Sequence, residues 1–138
     1  MNTVSRAIGY GIGRLSEETG VHIETIRYYE RIALMPSPPR TQGRQRVYDA
    51  SHQKRLIFIR RTRELGFSVE EIRGLLRLVD GGNYSCAEVN EIAVKHIDGI
   101  SSKIADLKKL SGVLAAMASQ CGKGSVPDCP IIDALSID

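Results

Sequence analysis

The sequence predicts a mainly α-helical protein whose two halves differ in character. In the first half, short segments with helical apolar spacing are separated by glycine and proline breaks. In the second half, a proline-free stretch from 86 to about 120 carries apolar residues at alternating steps of four and three. The halves also differ in charge: residues 1–77 hold 14 Lys and Arg against 8 Asp and Glu, or +6, whereas 78–138 hold 5 against 8, or −3.

The composition is that of an ordinary soluble protein of one or two small units. The chain has 138 residues, of which 42% are hydrophobic and 25% charged, so its core is modest and oligomerisation would help to stabilise it. We expect a cytoplasmic protein without a membrane partner, because no apolar run reaches the roughly 18 residues of a membrane span and the first 11 residues lack the apolar part of a signal peptide. The basic first half favours a polyanionic partner for that half alone, the alternative being a solvated basic face.

Two short helices are predicted near the start of the chain. The first covers 11–18, with Ile12 and Leu15 three residues apart. The second covers 22–31 (HIETIRYYER), where Ile23 and Ile26 are followed at helical spacing by Tyr29 or Glu30. A tight turn at 19–21, which contains glycine, joins them, and this arrangement predicts a helix-turn-helix.

A β-hairpin-like wing is expected after the second helix. Pro36, Pro38 and Pro39 stop helix formation. Residues 41–44 (TQGR) are typical of a turn, and 45–48 (QRVY) of a short strand.

A second pair of helices follows the wing. Asp49 is a suitable N-cap for a helix over about 50–65, and Ser68 forms a capping box with Glu71 at the start of a helix over 69–79. In the first of these helices we expect three side chains to face inward: Leu56, Ile57 and Ile59.

The second half is predicted to be one long helix. A break at 81–83 (GGN) precedes it, and a capping box of Ser85 and Glu88 places Cys86 in its first turn. We call the residues that recur at steps of four and three the seam; they are Ala93, Ile97, Ile100, Ile104, Leu107, Ser111, Leu114 and Ala118. This is the heptad rhythm of a coiled coil, and the length of the helix favours that interpretation over an amphipathic helix folded onto its own domain.

The chain has three cysteines, Cys86, Cys121 and Cys129, all in the second half. An odd number in a reducing compartment argues against a disulfide framework. Three thiolates without a nearby histidine suit a soft metal ion, the alternative being inert buried thiols.

The spacing of these cysteines indicates how a metal site could be assembled. Cys86 and Cys121 continue the seam at its two ends, but 35 residues of helix separate them by about 52 Å. One helix cannot bring both to one ion, whereas an antiparallel two-fold partner places Cys86 beside the partner's Cys121. Residues 122–128 cannot continue the helix, so they predict a loop that returns Cys129 to Cys121, followed by a short amphipathic segment at 132–137.

Several motifs together resemble one family over nearly the whole chain. They are 12–15 (IGRL) with 20–30 (GVHIETIRYYE), 43–48 (GRQRVY), 58–61 (FIRR) and 65–72 (LGFSVEEI). In combination they are similar to the helix-turn-helix, first wing and second helix pair of the MerR transcription regulators.

The resemblance implies a homodimer, joined by an antiparallel coiled coil, that binds double-stranded operator DNA. In this family, effector binding twists and kinks promoters whose spacer is too long, so that RNA polymerase becomes a partner. Arg27 and Tyr28 would face the major groove or its phosphates, and Arg44, Arg46 and Tyr48 would grip the DNA backbone. The complete set of expected DNA-binding residues is Arg14, Thr25, Arg27, Tyr28, Arg44, Arg46, Tyr48, Arg60 and Arg61.

The resemblance also assigns a role to each segment. Residues 1–80 would form a winged helix-turn-helix DNA-binding domain. Residues 81–120 would form a linker and the dimerisation helix, and 121–138 a metal-binding loop with a short C-terminal helix.

The metal-sensing branch of the family is favoured by Cys121 and by the ending Cys129-Pro130-Ile131-Ile132. Sensors of divalent ions resemble this chain in having cysteine at the position of Cys86, where sensors of copper, silver and gold have serine. The short loop is instead similar in length to that of the monovalent sensors, and it lacks the extra ligands of zinc sensors. We therefore expect Hg(II), Cd(II) or Pb(II), held by Cys86, Cys121 and Cys129 across the dimer, with Cu(I), Ag(I) or Au(I) as the alternative.

Other classes of protein fit the sequence less well. An enzyme is not expected, because there is no Ser-His-Asp set, P-loop or paired-carboxylate motif, and His96 lies in the middle of a helix as a packed or solvated residue. Multidrug-binding relatives carry a large extra domain that 138 residues cannot hold. An iron–sulfur sensor would need four clustered cysteines.

Overall fold

The protein is mainly helical, as predicted, in a computed structural model that describes residues 9–40, 46–122 and 131–136. Within these ranges the helices are α1 (Ile12–Thr19), α2 (Ile23–Arg31), α3 (Ala50–Glu64), α4 (Val69–Asp80), α5 (Cys86–Gly122) and α6 (Ile131–Leu135). The chain divides into two compact units, unit 1 (Met1–Asp80) and unit 2 (Gly81–Asp138).

The first two helices form the predicted helix-turn-helix. Gly20 ends α1 in the left-handed region, with φ of 74°, and its N–H donates to the carbonyl of Ser16 at 2.9 Å. Such a conformation favours glycine, which explains the tight turn. Leu15 of α1 and Ile26 of α2 are fully buried in the core of unit 1.

The expectation of a strand at 45–48 is wrong for residues 46–48, the part of it that the structure describes. Two isolated antiparallel bridges are found instead: one joins Tyr10 to Tyr48, and the other joins Arg40 to Arg46. Prolines cannot donate a backbone N–H, so the ladder opposite 46–48 cannot extend past Pro39. The tip of the wing, 41–45, lies outside the described residues.

Asp49 caps α3, as predicted. Its carboxylate accepts hydrogen bonds from the N–H groups of Ser51 and His52, at 2.9 and 3.3 Å. The ring Nδ1 of His52 accepts from the Asp49 N–H at 3.1 Å. Histidine therefore completes a capping box in the place that glutamate or glutamine usually takes.

The inward face of α3 is only partly the predicted one. Leu56 and Ile59 are fully buried, whereas Ile57 is half-buried. His52 and Thr62 occupy the rest of the inward face, because positions three or four residues from Leu56 and Ile59 share a side of the helix.

Arg55 ties three parts of unit 1 together. Its Nε donates to the carbonyl of Leu34, after α2, at 2.9 Å. Its two terminal nitrogens donate to the Asp80 carboxylate, at the end of α4, at 2.6 and 3.1 Å. Such a forked pair fixes geometry as well as charge, so it holds the ends of α2 and α4 to α3.

Unit 2 is built on the unbroken helix α5. The predicted capping box is present, with the Ser85 N–H donating to Glu88 at 2.9 Å and the Glu88 N–H to Ser85 at 3.1 Å. The same arrangement, also predicted, joins Ser68 and Glu71 at the start of α4. The short α6 lies against α5. No helix among the described residues is long and apolar enough to cross a membrane.

The seam of α5 lies open in the single chain. Its large members, Ile97, Ile100, Ile104, Leu107 and Leu114, are 39 to 66% exposed. Apolar side chains at heptad spacing are stabilised when a second helix removes them from water. The exposure is what a coiled coil with a second copy requires.

We expect Asp80→Asn to lower the free energy of unfolding by about 1 kcal/mol near neutral pH, as for a partly exposed ion pair. The Arg55 guanidinium, which donates hydrogen bonds to Asp80, lowers the pKa of that carboxyl below its usual 3.8. A lowered pKa stabilises the fold above pH 3.8 and ceases to do so as the pH falls through the folded-state value. The difference between variant and wild type should therefore shrink with acidification.

Urea unfolding followed by circular dichroism at several pH values, at fixed protein concentration, measures this difference. Glu17→Gln, which removes an exposed carboxylate from α1, is the control. A deficit in Asp80→Asn that is the same at neutral and acidic pH would contradict the role of the ion pair.

We also expect Ile104→Glu combined with Leu107→Glu to give monomers that no longer hold operator DNA, because charges in a seam oppose its burial. Lys109→Glu, two positions past the seam residue Leu107, should leave the dimer intact. Sedimentation velocity measures both. A wild-type protein that is a stable monomer at micromolar concentration would refute the coiled coil and any site shared between subunits.

Candidate nucleic-acid interface and metal centre

Helix α2 presents the expected DNA-facing side chains to solvent. Arg27 and Tyr28 are about two-fifths exposed. Arg27 forms an ion pair with Glu24 at 3.0 Å, and the guanidinium of Arg31 lies over the Tyr28 ring, 5.8 Å from its centre. Cationic and aromatic groups along one helix suit contact with the phosphates and bases of a groove.

A cleft between α2 and the base of the wing concentrates positive charge. It has a volume of about 310 Å³ and is lined by Arg27, Glu30, Arg31, Ser37, Pro38, Arg40 and Arg46. Several guanidinium groups in one concave site attract a polyanion more strongly than the same charges dispersed. Arg31 and Arg40 were not predicted. The spacing of four residues between Arg27 and Arg31 is the signal that could have indicated the first of them.

A second cleft, of about 330 Å³, lies at the N-terminal end of α2. It is lined by Thr25 and Arg60, which were both predicted to bind DNA, and by Arg63, which was not. Arg60 is held in place by a bond from its terminal nitrogen to the Thr19 carbonyl at 3.1 Å. Arg63 is three residues after Arg60 on the same helix, whereas Arg61 is exposed and does not line this cleft.

The two remaining arginines that were expected to bind DNA are Arg14 and Arg44. Arg14 is exposed on α1, where its guanidinium lies 4.7 Å from the centre of the Tyr10 ring and 3.9 Å from the Glu18 carboxylate. Turning toward a DNA phosphate would cost Arg14 only its weak surface ion pair with Glu18. Arg44 lies outside the described residues.

Tyr48 is a correction, because the structure places it in the core rather than on the surface. Its side chain is fully buried, and its hydroxyl donates to Glu30 at 2.6 Å. Burial, and next the hydrogen bond to Glu30, raise the pKa of Tyr48 well above its usual value. A residue enclosed in this way cannot contact DNA, so the expected contact by Tyr48 is wrong.

Two of the three cysteines, Cys86 and Cys121, lie at the two ends of α5. Cys86 is exposed in the first turn of α5. The backbone of Cys121 belongs to the last turn of the same unbroken helix. The side chain of Cys121 and all of Cys129 lie outside the described residues. Among the residues that are described, no three histidine, cysteine or acidic side chains are grouped so as to hold a metal ion.

Two family profiles match the chain. The profile described as MerR HTH family regulatory protein matches residues 10–79, and the one described as MerR, DNA binding matches residues 53–117. The chain belongs to the MerR family. It is therefore a DNA-binding transcription regulator and not an enzyme, which confirms both the resemblance and the exclusion drawn from the sequence.

Similar MerR proteins span nearly the same length. A mercuric resistance operon regulatory protein of Bacillus cereus is 39% identical over 91% of this chain and 96% of its own. Heavy metal-dependent transcription regulator 2 of Rhizobium meliloti (strain 1021) is 38% identical over 91% and 85%. The crystal structure of the transcription regulator PbrR691 from Ralstonia metallidurans CH34, in complex with lead(II), aligns with a TM-score of 0.56 at 35% identity, covering 91% of this chain and 98% of that one.

We expect Arg27→Ala to weaken binding of this MerR protein to DNA more than Lys103→Ala does, because Arg27 projects from α2 and Lys103 belongs to α5. Binding should also fall steeply as salt rises, since arginine contacts release counterions from phosphates. Fluorescence anisotropy with labelled duplex over a series of salt concentrations measures both effects. Equal losses at the two positions would contradict the assignment of DNA binding to unit 1.

Proposed function

We propose that this MerR-family protein is a metal-responsive regulator that binds Hg(II), Cd(II) or Pb(II) through Cys86, Cys121 and Cys129. Metal binding then activates a resistance promoter by distorting operator DNA. The observation that carries the proposal is the continuity of α5, which begins at Cys86 and passes through Cys121 without a break.

The proposal requires two copies of the chain. Thirty-five residues of continuous helix hold the two cysteines about 52 Å apart in one chain. An antiparallel coiled coil through the exposed seam brings Cys86 next to the partner's Cys121, and two-fold symmetry produces two equal sites. The residues 1–80, 81–120 and 121–138 thus act as the DNA-binding domain, the dimerisation helix with its linker, and the metal-binding loop with the C-terminal helix.

The donor chemistry favours a thiophilic ion. Cysteine thiolates are soft ligands, and three of them carry more negative charge than two, which suits a divalent ion better than a monovalent one. Relatives at 35% identity or more include a mercuric resistance regulator and a regulator crystallised with lead(II). These support the choice of ion class.

The connection between the units suits a change of conformation. Gly81 and Gly82 have φ of 80° and 109°, and they separate the end of α4 from the start of α5. Glycine accepts a change of backbone direction here with less strain than other residues. Metal binding by unit 2 would thereby alter how unit 1 presents the promoter to RNA polymerase.

A copper-type function is the second candidate. The loop between Cys121 and Cys129 is short and contains neither histidine nor a further cysteine. Two thiolates from this loop alone would form a linear site, which suits Cu(I), Ag(I) or Au(I). In that case Cys86 would contribute nothing to the response.

We predict that Cys86→Ser abolishes the transcriptional response to mercury, cadmium and lead while folding, dimerisation and DNA binding remain, because the third thiolate is lost. Cys121→Ser and Cys129→Ser should each abolish every metal response. A reporter assay against divalent and monovalent ions measures this. If Cys86→Ser responds like the wild type to divalent ions and the wild type responds best to copper or silver, the second candidate function replaces the first.

We further predict that two inactive chains complement each other in a mixed dimer. One chain carries Cys86→Ser, and the other carries Cys121→Ser with Cys129→Ser. If each site is shared between subunits, the mixed dimer has one complete site and should bind one ion, measured by titration with Cd(II) in the presence of a competing thiol. The two homodimers of these variants are the matched controls. A mixed dimer as inactive as its parents would show that the ligands come from a single chain.

A further inference from the structure

The side chain of Glu30 is buried on a helix whose neighbouring arginines reach solvent. It is only 6% exposed, although it lines the arginine cleft between α2 and the wing. Its Oε2 accepts a hydrogen bond from the Tyr48 hydroxyl at 2.6 Å, and its Oε1 lies 3.3 Å from Nε of Arg46. Burying a carboxylate costs free energy unless it is paired, so these two contacts define where Glu30 can lie.

Tyr48 gives Glu30 a rigid point of attachment. The Tyr48 N–H donates to the Tyr10 carbonyl at 2.8 Å, and the Tyr10 N–H donates to the Tyr48 carbonyl at 2.9 Å. The Tyr48 ring lies edge-on to His52, with 5.3 Å between ring centres. The hydroxyl is thus fixed by contacts to the N-terminal segment and to α3, and neither contact involves α2.

Arg46 forms an ion pair with the other oxygen of the same carboxylate. It precedes Tyr48 by two residues and pairs with Arg40 across the base of the wing. Glu30 therefore links α2 to residues 46–48 at the base of the wing, 16 to 18 residues further along the chain. Without this link, four arginines around one cleft would repel one another.

We propose that Glu30 is a positioning residue for DNA recognition, which sets the placement of α2 relative to the base of the wing through Tyr48 and Arg46. A helix and a wing that contact one duplex together must keep a fixed spacing, because phosphate contacts fix the register of the protein on the duplex and base contacts read the sequence in that register. The role rests on DNA binding by unit 1, and it concerns the discrimination between sequences rather than attraction to DNA.

When Glu30 is removed, a positioning role and a purely electrostatic role predict opposite changes in affinity for the preferred duplex. If Glu30 acted only through its charge, it would weaken the attraction of the arginine cleft for phosphate. Removing that charge would then tighten binding to every duplex. As a positioning residue, its removal weakens binding to the preferred duplex and leaves binding to other duplexes unchanged or tighter. The ratio of the two affinities separates the two roles.

The experiment uses the full-length dimer and two conservative variants. Glu30→Gln removes the charge that pairs with Arg46, and Tyr48→Phe removes the hydrogen bond to Glu30. The matched control is Tyr10→Phe, which removes another short hydroxyl bond of unit 1, to Gln53 at 2.7 Å, on residues outside α2. Thermal unfolding by circular dichroism accompanies each binding measurement.

The probes are two duplexes of about 30 base pairs, long enough for half-sites on successive turns. One is the duplex that the wild-type protein enriches most from a randomised library, and the other is a scrambled duplex of equal composition. We expect each variant to lose about tenfold in affinity for the selected duplex, the scale of one good base contact, with no loss for the scrambled duplex. The double variant should lose less than the sum of the two single losses, because both changes act on the placement of one side chain, that of Glu30.

Three results would overturn the positioning role. Glu30→Gln could tighten binding to both duplexes, the ratio could fall no further than in Tyr10→Phe, or affinity for both duplexes could fall in parallel with the melting temperature. A wild-type selection that enriches no sequence would instead contradict the regulatory function itself, so the two failures are distinguishable.

Discussion

The buried side chain of Tyr48 is the interaction on which the geometry of unit 1 depends. Its backbone pairs with Tyr10, its ring packs against His52 and its hydroxyl bonds to Glu30. Three stretches of chain that are distant in sequence therefore meet at one residue: the N-terminal segment, α2 and α3. In a unit with so small a core, a buried hydroxyl with a hydrogen-bond partner specifies one arrangement of the helices more strongly than apolar packing alone.

A different constraint governs unit 2. A helix of 37 residues cannot bury its own apolar seam, and the helix that contacts it within unit 2 is the short α6. Removing the seam from water at roughly 25 cal/mol per Å² of apolar surface favours a second helix. The same constraint keeps Cys86 and Cys121 apart within one chain, so in the proposed function dimerisation and the assembly of the metal site are one event.

The distribution of charge reflects this division of tasks. Unit 1 concentrates arginines in two clefts, one at each end of α2, where a duplex can approach. Glu30 lines one of these clefts as a buried carboxylate, and its Oε1 lies 3.3 Å from Nε of Arg46. The arginines thus supply the attraction to DNA, whereas the proposed role of Glu30 is to align the elements that contact it.

The sequence by itself determined the features that depend on residues close together in the chain. The capping boxes at Ser68 and Ser85 were predictable because both partners lie within one turn, and the length of α5 followed from the absence of proline and the heptad rhythm. Only the tertiary structure decided that Tyr48 is buried, that Glu30 holds it, and that Arg63 rather than Arg61 lines the cleft beside α2. The physical reason is that a local pattern shows which side of an element is apolar. Which distant polar group meets a given side chain, and is thereby withdrawn from solvent, depends on how the elements pack.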